Sequence, residues 1–176
     1  MRKTKNINIF VENSDNFKEY MTSTSPFTIE NLNDYDYSGL FMLQVSSLWK
    51  ETQEQILKKH YGITHIQYVV LASICWLLLN EKKEVTQIML SKYTRIAPMT
   101  ISQTFKVLEK KEYVYRQTHS SDVRAKSVFL TPKGEELINK TAPAIMAADS
   151  RFFSSLEGED IKKFNGYMLG LLRSND

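Results

Sequence analysis

The stretch Asp122-Val-Arg-Ala-Lys-Ser-Val-Phe-Leu-Thr-Pro-Lys-Gly134 opens with an acid and a base two residues apart. It continues as a β-branched and aromatic run and ends on Thr-Pro. Upstream, Tyr113 to Gln117 (YVYRQ) alternates in the manner of a strand, and so does Lys126 to Leu130 (KSVFL). The polar segment between them, THSSDVRA, is too long for a two-residue turn, so the pair predicts an extended hairpin. Thr131 then caps a helix, with Pro132 at its first position, where a missing N–H loses no hydrogen bond.

Before the hairpin, Pro98 fits the first position of a helix running to about Lys111, with Ile101, Phe105 and Leu108 inward at i, i+4, i+7. Arg95 to Pro98 is a turn. Ahead of it, Val85 to Tyr93 reads as a short helix capped by Thr86, offering Ile88, Leu90 and Tyr93 to the core. Thr64 and Gln67 form a capping box, with Ile63 and Tyr68 as the hydrophobic staple around it. That helix runs to about Leu79, is apolar nearly all round, and should be central; Asn80 to Glu84 is the turn after it. Tyr37 to His60 carries its apolar residues on one side of a long helix, which Gly62 breaks. Two C-terminal helices, about Pro132 to Leu156 and Glu159 to Arg173, are split at Gly158. The order is four helices, a hairpin and two helices. A short helix, a capped helix and a hairpin in succession make a winged helix-turn-helix, in which the second helix enters the major groove of DNA and the hairpin reaches the flanking groove.

The chain has 176 residues, 42% hydrophobic and 24% charged, which suits one globular domain with an appendage. Its one cysteine excludes an intrachain disulfide, and Cys75, in the apolar run SICWL, reads as a packed small hydrophobe. The N-terminus is basic but lacks the apolar core of a signal peptide. The run Val69 to Leu79, apolar apart from Ser73, is far short of the roughly 20 residues that span a bilayer. A cytoplasmic protein is expected. The net charge of +3 is unevenly spread: Leu90 to Lys133 holds nine bases and three acids, a local +6 that leaves −3 for the rest. Such a basic lobe is the electrostatic footprint of a polyanion partner. His60, His65 and His119 stand in no metal-ligand spacing, and there is neither a nucleophile elbow nor a Gly-rich phosphate loop. No enzyme activity, metal or cofactor is expected. The alternative, a winged helix used only for protein docking, would favour neutral or acidic residues on the second helix and wing, against the +6 found.

The residues resemble the MarR family of bacterial transcription regulators over about Leu40 to Phe153. The resemblance is strongest at Asp122-x-Arg124-x-Lys126-x-Val128-x-Leu130-Thr131-x-x-Gly134. Ile63-Thr-x-x-Gln67 and Leu108-Glu-Lys-Lys111 support it in the same order. It implies a mainly α fold: residues 63–131 as the winged helix-turn-helix lobe, 36–62 and 132–176 as a helical dimerisation region, and 1–35 as a polar extension with no counterpart. Leu40, Phe41, Leu48, Phe152, Phe153, Ile161, Phe164, Met168, Leu171 and Leu172 offer more apolar surface than one winged helix can cover, so a homodimer on a pseudo-palindromic operator is expected. The function implied is sequence-specific regulation of transcription, as a repressor with effector-modulated affinity.

By the same resemblance, Arg124 reaches the minor groove or its phosphates while Asp122 orients the guanidinium. With its apolar side on Ile101, Phe105 and Leu108, the reading helix turns out Met99, Thr100, Gln103, Lys106 and Val107. Gln can bond adenine bidentately, and Thr can bond bases or touch a thymine methyl. Thr86, Pro98 and Lys126 complete the candidate contact set. Relatives often carry Arg or Lys at the position of Gln103 and usually Gly at that of Glu112, where Gly allows positive φ at a C-cap; Glu112 must bear some strain or end the helix differently. A small aromatic or lipophilic effector would find Tyr37, Phe41, Tyr68 and Trp76, with Tyr35 and Trp49 as further candidates.

Overall fold

The computed structural model describes residues 38–81, 84–120 and 124–175. The chain falls into two units, residues 1–46 and 47–176. Of the first, the described part is the opening of helix α1 (Ser38–Tyr61). The second holds the rest of α1, then α2 (His65–Asn80), strand β1 (Val85–Thr86), α3 (Gln87–Thr94), α4 (Pro98–Lys110), β2 (Val114–Thr118), β3 (Lys126–Leu130), α5 (Pro132–Phe152) and α6 (Glu159–Ser174). The fold is mainly α, with one small antiparallel sheet in the order β1-β3-β2.

Local chemistry sets the helix starts. The Thr64–Gln67 capping box is formed in both directions, the Thr64 side chain accepting from Gln67 N and the Gln67 side chain from Thr64 N, each at 3.3 Å. Ile63 is buried and Tyr68 packs on its cluster, as a staple requires. Thr131 Oγ1 accepts from Gly134 N at 3.0 Å and opens α5. With its polar ends satisfied, α2 becomes the central element: Val70, Leu71 and Ile74 are fully buried, among Leu90, Ile101, Phe105, Leu108, Val128 and Ile138 of its neighbours. Each such side chain contributes about 1.5–3 kcal/mol by leaving water.

Three expectations need correction. Val85 lies in a strand, not a helix: it pairs with Val128, and Thr86 pairs with Ser127 before capping α3 through Met89 N. This two-residue strand is fixed by a partner some forty positions away, which no local pattern reports. Ile88 does not enter the core but is 67% exposed, and Tyr93, 48% exposed, stacks on Trp76 at 5.0 Å instead. Two residues apart on a helix lie about 200° apart, so with Leu90 fully buried Ile88 faces out. Lastly, α5 stops at Phe152, short of Leu156. There Phe152, Phe153 and Phe164 stack edge to face or tilted at 5.0 and 5.9 Å and link α5 to α6. Among the described residues no single helix is long and apolar enough to cross a membrane.

Candidate nucleic-acid interface

The helix-turn-helix angle is locked by side chains. Gln87 Nε2 donates to Pro98 O at 2.9 Å, tying the start of α3 to the start of α4. In the three-residue turn, Arg95 adopts a left-handed conformation (φ 59°), Thr94 Oγ1 accepts from Ile96 N, and Ser91 Oγ donates to Ile96 O at 2.8 Å. Pro98 stands at the first position of α4, as the sequence predicts.

Along α4, Ile101, Phe105 and Leu108 are at most 1% exposed, and Thr104 is buried with its hydroxyl on Thr100 O. That anchored side fixes the phase of the opposite one. Met99, Gln103, Lys106, Val107 and Lys110 are exposed, and Thr100 is half-buried at the edge of the stripe. Ile88, on α3, is a further exposed apolar side chain, at a position the sequence predicts for the core.

The helix ends in a Schellman arrangement, with Tyr113 N on Leu108 O and Glu112 N on Glu109 O, both at 2.9 Å. Its left-handed position is occupied by Glu112 (φ 60°) where glycine would be unstrained. Glu112 is held there by Thr131 Oγ1 donating to its carbonyl at 2.6 Å and by a Lys133 pair at 3.2 Å. The next link is equally tight. Thr131 N donates to Tyr113 O, and a Cβ on Gly134 would lie 2.1 Å from that oxygen. The wing's departure and return are thus clamped at Tyr113, and Gly134 is sterically required.

The wing strands run in register from Val114↔Leu130 to Thr118↔Lys126, and His119 N donates to Ala125 O beyond them. Glu84, in sequence only the end of a polar turn, anchors this hairpin. Its Oε2 accepts from Ser127 Oγ and from Ser120 N, with His119 Nε2 4.0 Å away. The Ser120 and Ser127 hydrogen bonds hold its carboxyl at about 2, well below the ordinary range. A carboxylate just before a short strand leaves no mark in sequence, because its partners arrive from the hairpin.

Not every base in the +6 lobe points at solvent alone. Arg116 makes a bidentate pair with Glu109 (2.7 and 2.6 Å) and lies over the Phe105 ring. Lys111 Nζ donates to Gly62 O at 2.8 Å, tying the end of α4 to the α1–α2 junction. Lys126 bonds Thr118 Oγ1 at 3.2 Å, and Thr86 spends its acceptor on the α3 cap. Lys106, Lys110 and Arg124 are exposed. Asp122 lies outside the described residues, and with it the expected hold on Arg124.

Of the expected effector residues, Tyr37 is outside the described residues and Phe41 belongs to the first unit. Tyr68 and Trp76 do come together, in a cleft of about 280 Å³ that Trp49 and Tyr93 also line.

The model of the transcriptional regulator SarA/Rot family matches residues 52–141. The chain is similar to the HTH-type transcriptional regulator YdcH of Bacillus subtilis, 27% identical over 117 residues, 66% of this chain and 78% of that protein. It superposes on the S. aureus MepR–DNA complex with TM-score 0.67 and 25% identity, covering 80% of this chain and 98% of that one. Sco3205, a MarR family regulator from Streptomyces coelicolor solved with DNA, gives TM-score 0.72 at 23% identity, over 83% of this chain and 94% of that one.

Proposed function

This chain belongs to the SarA/Rot family of transcriptional regulators, winged-helix proteins of MarR type, and from that premise we propose how it reads DNA. It binds duplex DNA sequence-specifically as a cytoplasmic homodimer and acts as a repressor, without catalytic chemistry of its own. The observation that carries this reading is α4: one side is sealed into the core while the other presents Gln103 between Lys106, Lys110, Met99 and Val107. Gln103 reads a base edge, Lys106 and Lys110 neutralise phosphates, and the wing sets Arg124 on the flanking groove. In this reading Asp122 aims Arg124, Lys126 adds charge at the loop end of the wing strands, and Thr86, Pro98 and Thr100 meet the backbone near the start of α4. That MepR and Sco3205 have been solved on DNA supports the same use of the same fold.

Dimerisation is supported by α6, which has no buried residue and leaves Tyr167, Leu169, Leu171 and Leu172 at least half exposed. Leu40, Phe41 and Leu48 on α1 are likewise exposed. In this reading residues 36–62 and 132–176 belong to the dimerisation region and 63–131 to the DNA-binding lobe. Effector-modulated affinity follows the cleft at Tyr68 and Trp76, which lies between helices of both regions. The test is anisotropy titration of mixed-sequence duplexes at several salt concentrations. The proposal expects log K to fall linearly with log salt. Salt-independent or undetectable binding at low salt would overturn it.

A further inference from the structure

The cleft between α1, α2, α3 and α5 has a chemistry that selects its ligand by charge. Trp49, Tyr68, Trp76 and Tyr93 supply four aromatic side chains, and Asp149 supplies the one ionisable acid; no Lys, Arg or His is among the lining residues. The Asp149 carboxylate is aimed by two donors, Trp49 Nε1 and Gln53 Nε2, each 2.8 Å from Oδ1. Among the described residues nothing donates to Oδ2, so part of the acceptor capacity of the carboxylate is left over. Trp76 and Tyr93 are stacked within 20° of parallel, giving a flat aromatic wall.

Aromatic faces carry negative electrostatic potential, and Trp is the strongest cation partner among side chains. A fixed carboxylate beside such faces attracts a cation and repels an anion, and partial burial strengthens both effects. We propose that this cleft binds small lipophilic organic cations and rejects aromatic carboxylates. The inference rests on the effector reading above and narrows it to one ligand class. At about 280 Å³, near the lower end of ligand pockets, the cleft suits a one-ring or two-ring molecule with an ammonium group.

The chain has two tryptophans, and both line the cleft, so intrinsic fluorescence reports its occupancy directly. The experiment titrates the full chain, without DNA, with benzyltrimethylammonium and separately with phenylacetate. Saturable quenching by the cation and none by the anion over the same range is expected. Asp149→Asn keeps the acceptor oxygen for Trp49 and Gln53 but removes the charge, and should weaken the cation about tenfold with an unchanged thermal melt. Should that variant fail to fold, Trp76→Leu at an exposed position removes one wall, leaves Trp49 as reporter, and should weaken the cation about fivefold. Equal binding of phenylacetate, or undiminished cation binding in the folded variant, overturns the proposal. Because no DNA is present, failure here leaves the DNA reading standing, and failure of DNA binding leaves this result standing.

Discussion

At the scale of single residues, Glu112 and Gly134 oppose each other across the same junction. Glu112 occupies a left-handed position at roughly 1 kcal/mol or more of strain, offset by a largely exposed Lys133 pair worth about 0–1 kcal/mol. Glu112→Gly should therefore stabilise the fold by about 0.5–1 kcal/mol, once the greater freedom of glycine in the unfolded chain is subtracted. Urea unfolding checks this, and a destabilised variant would show the Lys133 pair to be the larger effect. Gly134→Ala drives a methyl into Tyr113 O; a loss of roughly 2 kcal/mol or more is expected, and an unchanged melt would contradict the clamp. Glu84 carries a pH signature. Its folded carboxyl titrates at about 2, below its ordinary value, so its contribution to stability is fully present above the ordinary carboxylate range and is lost as pH falls through about 2. NMR titration of the Glu84 carboxyl should show that midpoint, and Ser127→Ala should move it upward; an ordinary midpoint in the parent would remove the anchor.

At the scale of elements, the proposed function separates reading from anchoring along α4 and the wing. Gln103→Ala should lose about 1–3 kcal/mol on the preferred sequence and relax one base position, while Lys106→Ala should weaken all sequences alike. Arg124→Ala should lower the slope of log K against log salt by about 1 per wing. Glu84→Ala, which frees the hairpin without removing a cation, should weaken binding at nearly constant slope. Anisotropy titrations on matched duplexes measure all four, and a uniform loss from Gln103→Ala would deny it a base contact. The elements themselves were legible in sequence wherever their causes are local. The Thr64–Gln67 box, Pro98 at a helix start, Thr131 before Pro132 and the i, i+4, i+7 core of α4 are all written within a turn or two. Val85 in a strand, Ile88 turned outward, Arg116 claimed by Glu109 and Glu84 beneath the wing were not, since each depends on a partner from another element. The candidate site divides the same way: the phase of α4 follows from its own pattern, whereas Thr86 and Lys126 prove to have partners within the fold.

At the scale of the whole molecule, the proposed function depends on doubling the reading helix. A single winged helix offers one short α4, and affinity and specificity rise when two act on one duplex. In the proposed dimer the exposed apolar residues of α6 form the contact between copies. A charge there, as in Leu169→Glu with Leu172→Glu, should give a folded monomer by sedimentation, since these positions contribute little to the core of one chain. A double variant still dimeric at micromolar concentration would move the interface elsewhere. The claim that joins α4, the wing and the dimer is that the molecule reads a two-fold site, and the most direct measurement is selection of bound duplexes from a random library, followed by footprinting. The account predicts an enriched pseudo-palindrome with half-site centres about 10 bp apart, or a whole multiple of that spacing, both protected together; enrichment of a single unrepeated site, or no enrichment over random duplex, would contradict it.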